Sequence, residues 1–367
     1  MAGLTYSARG LLPRRGLRIA VIAPPYFPVP PTGYGGIERV VAALVEGLSS
    51  AGHDVTLVAA AGSSGPATVV NPLCEAPVLG DVSAVADEQY HALWAYRRAG
   101  EFDLIHDHSS TGAAIGAMAA ATTPVVHTLH GPWTDQARRL FGLLDDRLSL
   151  VAISHAQRSA NPAVRYAGVV HNGVDMAQHP LRTEKEDFLI FVGRTSPEKR
   201  PDRAIEVARR AGLPLKMIIK RREAGEVRYW HEAVVPVLGS DVEVIEEPPH
   251  RLKVDLMGRA RAMLFPIAWP EPFGLVMTEA MACGTPVIAR PLGAAPEVVL
   301  DGVTGFLCAT DRQMAAAVAA TATIDPRACR QQVQDRFSTD SMVRGYERIY
   351  AASAARPGRA RSVSAGG

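Results

Sequence analysis

The sequence predicts an α/β protein in which two doubly wound parallel sheets, each in a Rossmann-like domain, face a common cleft. The length of 367 residues suits two domains, since a domain usually has roughly 100–200 residues. Short apolar segments alternate with helical stretches in two series, and a polar break after residue 170 separates the series. Near-continuous apolar strands that alternate with helices are typical of parallel sheets covered on both faces.

The first series predicts an N-terminal domain over residues 17–178. Its strands are expected at 18–23, 54–60, 103–106, 124–129 and 149–153, with helices such as 36–51 and 111–121 between them. Residues 1–16 are expected to form a flexible tail, because they lack any hydrophobic periodicity.

The second series predicts a C-terminal domain over residues 184–337. Its strands are expected at 188–192, 215–219, 241–245, 261–265 and 286–289, and its helices at 200–211, 226–238, 250–258, 275–283 and 293–299. A last helix is expected at 339–352, followed by a flexible tail at 354–367.

Composition narrows the class of protein. Apolar residues make up 47% of the chain and charged residues 21%, as in an ordinary soluble globular protein. The 39 Lys and Arg residues nearly balance the 37 Asp and Glu residues, which argues against a nucleic-acid partner. No run reaches the ~20 apolar residues of a transmembrane helix, and the four cysteines lie far apart, as expected in a reducing compartment. We therefore expect a cytoplasmic protein.

A glycine pair, Gly35 and Gly36, opens the first predicted helix. Glycines at a helix start let backbone amides approach an anion. A dinucleotide-binding fingerprint does not fit, because nine residues separate Ala23 from Gly33 and no acid follows the second strand. A nicotinamide dehydrogenase is thus disfavoured. The loop is expected to face a substrate, and a plain connection is the alternative.

Histidines follow two neighbouring strands of the first series. His106 and His108 end the third strand, and His127 and His130 end the fourth. His130 precedes a Gly-Pro turn and is expected to point off the strand end, on the opposite side from His127. A structural role is the alternative, and the spacing gives no zinc site.

Two cations, Arg194 and Lys199, bracket the turn after the first strand of the second series. Cations at the carboxyl end of a parallel strand suit a diphosphate, with Arg binding as a fork and Lys as a point charge. The alternative is a solvated loop in which one cation pairs with Glu198.

Two glutamates, Glu271 and Glu279, stand in the most specific segment of the chain, residues 265–289. A helix is expected to begin near Gly274 and to end at Gly284, so the amides of Gly274 and Leu275 form an anion site. Glu279 is the only charge within 272–289 and needs hydrogen-bond donors, which a ribose diol supplies. Glu271 is placed to accept from sugar hydroxyls. A core carboxylate that caps a loop is the alternative.

Glu271 and Glu279, eight residues apart around Pro272-Phe273-Gly274, resemble the two-glutamate signature of retaining GT-B glycosyltransferases. The resemblance is to the large family 4, which includes sucrose and trehalose synthases and bacterial mannosyl- and glucosyltransferases. It spans about residues 17–352 through six further motifs in the family's order: Gly35-Gly36-Ile37-Glu38, Ile105-His106-Asp107-His108, Thr128-Leu129-His130-Gly131, Asn172-Gly173-Val174-Asp175, Gly193-Arg194 with Glu198-Lys199, and Thr304-Gly305-Phe306-Leu307. The amino-acid sequence at 191–194 and 269–277 is similar to that of a subgroup of UDP-glucose:tetrahydrobiopterin glucosyltransferases.

The resemblance implies that 17–178 hold the acceptor, that 184–337 hold a nucleotide sugar, and that helix 339–352 returns to the first domain. The catalytic residues it implies are Glu271, His130, Arg194 and Lys199. The donor-binding residues are Gly35, Gly36, Arg194, Lys199, Phe273, Gly274, Leu275, Glu279, Pro248 and His250, with the nucleobase beside 247–250. The acceptor-side residues are Glu38, His108 and Asn172. Glu279 holds the ribose, Glu271 the transferred sugar, and His130 the region of its 6-hydroxyl.

The function implied is transfer of a hexose, glucose being expected, from a UDP-sugar to an acceptor hydroxyl with retention of configuration. No cofactor and no metal ion are expected, because Arg194, Lys199 and helix amides meet the diphosphate. The acceptor is a small molecule or a glycan. One departure from the family is the segment 219–225, which stands where many members have a glycine-rich segment. Lys220 within it is expected to add a charge near the phosphates. A GT-B nucleotide-sugar epimerase or hydrolase and a non-catalytic nucleotide-sugar binding protein remain as alternatives.

Overall fold

The computed structural model describes residues 16–33, 35–73, 75–77, 83–110, 112–119, 123–144 and 148–354. The expected tails, 1–16 and 354–367, lie outside these ranges except for their inner residues, 16 and 354. Two parallel sheets, one of seven strands and one of six, confirm the predicted fold class.

The first sheet has the strand order β3-β2-β1-β4-β5-β6-β7, and all its neighbouring strands pair in parallel. Its strands are β1 (Arg18–Ile22), β2 (Asp54–Val58), β3 (Thr68–Val70), β4 (Leu104–Asp107), β5 (Val125–Leu129), β6 (Ser149–Ala152) and β7 (Tyr166–Val169). The accompanying helices are α1 (Gly36–Ser50), α2 (Ala84–Tyr96), α3 (Gly112–Ala119), α4 (Asp135–Leu144) and α5 (His155–Ser159). Every residue of β4, β5 and β6 is buried, which explains their continuous apolar pattern.

The second sheet has the order β10-β9-β8-β11-β12-β13 and is also parallel. Its strands are β8 (Glu186–Arg194), β9 (Leu215–Lys220), β10 (Val242–Glu246), β11 (Ala260–Phe265), β12 (Val287–Ala289) and β13 (Gly305–Leu307). Its helices are α6 (Pro201–Ala211), α7 (Ala224–Tyr229), α8 (His250–Arg259), α9 (Leu275–Ala282), α10 (Ala295–Val298), α11 (Asp311–Ala320) and α12 (Pro326–Arg336). The last helix is α13 (Thr339–Ala354).

Glycines set both ends of α9. Gly274 precedes the helix with φ +83° and Gly284 follows it with φ +80°. A Cβ on Gly284 would stand 2.6 Å from the Leu181 side chain and 3.0 Å from the Arg182 carbonyl oxygen, so neither the backbone angle nor the space accepts a larger residue. The helix therefore begins and ends where the sequence predicts.

Helix α13 follows the second domain along the chain but packs on the first. Its residues Met342, Val343, Tyr346 and Tyr350 belong to the buried core cluster that α1 and the first sheet form. The approach of α13 to α1 is close, because a Cβ on Gly47 would stand 2.5 Å from a methyl group of Val343. The chain therefore crosses from one domain to the other twice.

Some elements differ from the predictions. The helix expected at 226–238 ends as α7 at Tyr229 and continues as a π-turn, Trp230–Val234, and a 3₁₀ turn, Val235–Val237. Pro236 has no N–H to continue an α-helix, which accounts for the break. The sequence does not predict strands β3, β7 and β13 or helices α2, α4, α5, α11 and α12. Within the described ranges, no helix is long and apolar enough to cross a membrane.

Candidate active site

A cavity of about 360 Å³ lies between the carboxyl ends of the two sheets and is lined by both domains. This is the edge at which doubly wound sheets bind their ligands. Twelve of the sequence-predicted residues line it: Gly35, Gly36, His130, Asn172, Arg194, Lys199, Pro248, Glu271, Phe273, Gly274, Leu275 and Glu279. Residues of five of the seven sequence motifs thus meet in one place, whereas the motifs at 105–108 and 304–307 do not line the cavity.

Lys199 and Glu271 form an ion pair on the cavity wall. The ammonium Nζ of Lys199 is 2.5 Å from Oε2 of Glu271, and the indole Nε1 of Trp269 donates to the same oxygen at 2.7 Å. The ammonium also lies 5.2 Å from the centre of the Trp269 ring, within cation–π range. The carboxylate is therefore held in a fixed orientation beside a cation.

Arg194 lines the same wall but has acidic neighbours. Its guanidinium donates to Glu198 at 2.8 Å and lies 3.6 Å from Glu226. Arg194 therefore pairs with Glu198, which was the alternative interpretation of the sequence, and also lines the cavity. Lys220 is buried and bonds Glu223 at 2.8 Å and Glu226 at 3.4 Å. Lys220 also lines the cavity, and with two carboxylates beside it, its contribution near the phosphates stays a prediction.

Glu279 is 2% exposed and sits among cations. Nζ of Lys253 donates to both carboxylate oxygens, at 2.7 and 2.9 Å, while Arg39 of α1 lies 3.9 Å away and His179 4.0 Å away. Burial alone would raise the pKa of Glu279, but the charges nearby, that of Lys253 above all, lower the pKa to about 2. Sequence reasoning missed Lys253, whose only signal is its position one turn into the helix after Pro248-Pro249.

The start of α9 lies between these two glutamates. Leu275 and Val276 are in its first turn and line the cavity, where backbone N–H groups have no partner within the helix. The helix dipole adds a partial positive charge at this end. The site thus combines a lysine, an arginine and helix amides around space that an anion can enter.

The end of the cavity expected to hold the nucleobase is formed by Glu247 and Pro248. Glu247 has a left-handed backbone with φ +43°, which is unusual for a residue with a side chain. Its Oε2 accepts from Arg222 at 2.6 Å, whereas Oε1 is buried with no hydrogen-bond partner in the part of the chain that the structure describes.

Three predicted site residues do not line the cavity: Glu38, His108 and His250. Glu38 is buried in the first turn of α1, where burial raises the pKa of its carboxyl to about 7. His108 is 2% exposed, because it lies directly beyond the buried β4 and packs behind His130. His250 starts α8, with its ring 5.5 Å from that of His179, and burial together with Arg39 and Lys253 lowers its pKa to about 4. These three side chains therefore lie outside the cavity lining, and their contacts with substrate stay predictions.

A larger cavity of about 790 Å³ lies between α1, α13 and residues 173–179. Of the predicted site residues, Leu275 and Glu279 also line it, so α9 and Arg39 form a shared wall. Its remaining lining comes mainly from the helix pair and the crossing segment, away from Lys199 and Glu271.

Glu297 joins the two domains on another face. Its carboxylate accepts from the backbone amides of His155 and Ala156 at 2.8 and 2.6 Å, and from His171 at 3.2 Å. One possible metal-ligand atom from each of Glu297, His155 and His171 lies within 4.8 Å of the other two. Among the described residues, this is the group that could hold a metal ion. The amide bonds account for the carboxylate as an interdomain helix cap.

The two facing Rossmann-like domains with the cavity between them define the GT-B class of glycosyltransferase fold. AviGT4, a glycosyltransferase involved in avilamycin A biosynthesis, is 25% identical and superposes with a TM-score of 0.74 over 92% of this chain and 98% of that chain. Sucrose-phosphate synthase from Thermosynechococcus elongatus is 19% identical, with a TM-score of 0.74 over 93% and 100% of the two chains. Anabaena Alr3699/HepE, solved with UDP-glucose, is 20% identical, with a TM-score of 0.70 over 92% and 100%.

Two family models cover most of the chain. Residues 34–178 match the model described as Glycosyltransferase Family 4, and residues 175–335 match Glycosyl transferases group 1. The N-terminal domain is thus similar to family 4 and the C-terminal domain to group 1. A D-inositol 3-phosphate glycosyltransferase from Mycobacterium tuberculosis is 30% identical over 58% of this chain and 52% of that protein. The chain therefore aligns with about half the length of the curated relatives it matches.

Proposed function

We propose that this chain is a retaining glycosyltransferase that moves a hexose from a nucleoside diphosphate sugar, with UDP-glucose as the first candidate donor, to an acceptor hydroxyl. The observation that carries the proposal is the Lys199–Glu271 pair, which adjoins the first turn of α9 inside the cavity between the domains. The pair provides a cation for a leaving diphosphate and, in direct contact with that cation, a carboxylate for the sugar.

Binding of the donor is an exchange of partners. The diphosphate takes hydrogen bonds from Lys199, Arg194 and the α9 amides, in competition with Glu271 and Glu198. Glu271 is then available to accept from hydroxyls of the transferred sugar, while Glu279, already ionised, accepts from the ribose hydroxyls. All of these groups are in place before the donor enters, so little reorganisation is needed.

The chemical step breaks the bond between the anomeric carbon and the phosphate oxygen. The electron pair goes to the phosphate, where Lys199, Arg194 and the amides stabilise the charge. The carboxylate of Glu271 stabilises the positive charge that develops on the ring. The acceptor oxygen bonds to the anomeric carbon on the face that the phosphate leaves, and the acceptor proton passes to the departing phosphate oxygen. Configuration is thereby retained.

Binding measurements provide the first test. UDP, GDP, ADP and UDP-glucose are titrated by calorimetry and thermal unfolding, because a ligand of the folded state raises its apparent stability by mass action. A saturable response to UDP and UDP-glucose is expected. Failure of all three nucleotides to bind would overturn the proposal, whereas a response to GDP or ADP alone would change the donor.

Turnover provides the second test. UDP release is followed with and without an acceptor panel that begins with D-inositol 3-phosphate, from the name of the relative, and a reduced pterin, from the sequence resemblance. Release only with an acceptor, and an α-linked product by NMR, are expected. UDP release at the same rate without any acceptor would instead indicate a hydrolase or epimerase, and a β-linked product would contradict retention.

A further inference from the structure

A chain of buried polar side chains connects α13 to the cavity. His106 joins the hydroxyl of Tyr350 through Nδ1 at 2.7 Å and that of Thr128 through Nε2 at 2.8 Å. The His106 and His108 rings pack with centres 4.1 Å apart. Nδ1 of His108 then lies 2.8 Å from Nε2 of His130, the one histidine among the described residues that lines the cavity.

The three rings are neutral at physiological pH. Burial is the main cause in each case: it lowers the pKa of His106 and His108 far below the usual range, and it lowers that of His130 to about 3. Between His108 and His130, therefore, a single proton is shared by the two facing nitrogens. Whichever ring donates it, the proton's location fixes the tautomer of both rings.

The surroundings of His108 decide which ring donates. Its other nitrogen, Nε2, is buried and has no partner among the described residues. If His130 donated, His108 would carry its own proton on Nε2 as an orphaned buried N–H, which is costly and rare. If His108 donates from Nδ1, its Nε2 is an acceptor without a partner, which costs less free energy than a buried N–H without a partner. His130 then accepts at Nε2 and carries its proton on Nδ1.

We propose that His108 is a positioning residue that fixes His130 in the Nδ1–H form, so that His130 presents a hydrogen-bond donor, and not a base, to the ligand in the cavity. The contacts of His106 with Tyr350 and Thr128 hold the ring against which His108 packs. This proposal rests on the proposed function for the ligand that the donor meets, an oxygen of the transferred sugar. Its statement about the tautomer is independent of that function.

The tautomer is read directly by NMR on protein labelled with ¹⁵N-histidine, with His130 assigned by the loss of its signals in His130→Gln. A protonated Nδ1 and a bare Nε2 are expected for His130. His108→Phe should abolish this fixed pattern. The matched control is His127→Phe, which replaces a buried histidine in the middle of β5 that packs against Phe141 and should leave the His130 tautomer unchanged. A proton on Nε2 of His130 in the native protein would overturn the proposal.

Kinetics test the consequence. His108→Phe should lower kcat about tenfold with the donor KM within twofold, whereas His108→Asn, whose amide N–H stands where Nδ1 stood, should restore most of kcat. In a His130→Ala background, His108→Phe should cause no further loss. An equal loss in that background, or no rescue by the folded Asn variant, would show a merely structural role. If no donor and acceptor pair is turned over, the proposed function fails, and the NMR result still decides the tautomer.

Discussion

The two walls of the cleft bring different electrostatics to one ligand. In the first domain, at His130 on the wall and at the side chains behind the wall, burial keeps His106, His108 and His130 neutral and raises the pKa of Glu38 to about 7. On the second wall, Glu271 and Glu279 are each paired with a lysine, and the pKa of Glu279 falls to about 2. Two buried glutamates in one protein thus have pKa values on opposite sides of the ordinary range.

The difference arises from what each carboxyl has beside it. Glu38 is buried, and its hydrogen bond with its own backbone amide and the charge of Arg39 oppose desolvation only in part, so desolvation decides its pKa. Glu279 is buried at least as deeply, but Lys253 donates to both of its oxygens. The proposed diphosphate and ribose sites therefore keep their charged groups, whereas His130, the first-domain side chain proposed to meet the sugar, is neutral.

The largest effect is expected from removing a cation of the second wall. Lys199→Ala should lower the turnover number by about 10²–10³, equivalent to about 2.7–4 kcal/mol, as for a lost oxyanion donor. Donor binding should persist through Arg194 and the α9 amides. Steady-state kinetics and calorimetry measure both. Lys216→Ala, which removes a lysine paired with Glu243 in the same domain, is the control and should be neutral. Similar activity in the two variants would contradict the placement of the diphosphate.

A slightly smaller effect is expected for the carboxylate of the pair. Glu271→Gln keeps the shape and loses the charge that stabilises a cationic sugar ring, so turnover should fall about 10²-fold, within the range for electrostatic stabilisation of a transition state. Nucleotide affinity should be unchanged or higher, because Lys199 loses a competing carboxylate. Glu243→Gln, at an exposed position, is the matched control. Turnover near the native value would remove Glu271 from the mechanism.

The contrast between the two glutamates predicts opposite effects on stability. The pKa of Glu38, about 7 when folded against 4.5 as reference, means that the folded state binds more protons between these values. Stability then falls as pH rises through them. Glu38→Gln should therefore stabilise at pH 8 relative to pH 4, by at most about 3 kcal/mol. Glu279→Gln should destabilise at both pH values, because Lys253 is left unpaired. Denaturant midpoints at pH 4 and pH 8 measure the stability of both variants. Equal changes in the two variants would contradict the proposed difference between the two glutamates.

No effect is expected from chelation of divalent metal ions. Proteins bind such ions through carboxylate and carbonyl oxygens, whereas the proposed phosphate contacts are Lys199, Arg194 and helix amides. Turnover should be unchanged in excess EDTA. Loss of activity that magnesium or manganese restores would contradict the proposal that Lys199, Arg194 and the α9 amides bind the diphosphate without a metal ion.

The sequence predicts the central strands well because they are buried on both faces and read as continuous apolar runs. It misses β3 and β13, which are three residues long and stand at sheet edges, and β7, a half-buried edge strand. The helix at 226–238 carries an apolar pattern, but Pro236 shortens its α-helical part. Local pattern therefore defines the centre of each sheet and the edge strand β10, whereas tertiary pairing decides the other three edges.

In the site, the sequence identifies the residue types that meet at the cavity but not their partners. The ion pair of Lys199 with Glu271 joins positions 72 residues apart, and no local pattern specifies such a contact. The position of His108 behind His130 depends on how β4 and β5 end beside each other. Lys253 was missed because a lysine on a polar helix face is usually exposed.

The crossing of α13 back to the first domain also orders events during synthesis. Tyr346 and Tyr350 fill part of the first domain's core, yet they are near the last described residues to leave the ribosome. The first domain therefore waits for the whole second domain to be translated, which takes on the order of ten seconds at 5–20 residues per second. During that interval the face of α1 that packs on α13 has no cover, and a message truncated before Thr339 would encode a protein whose first core lacks Tyr346 and Tyr350.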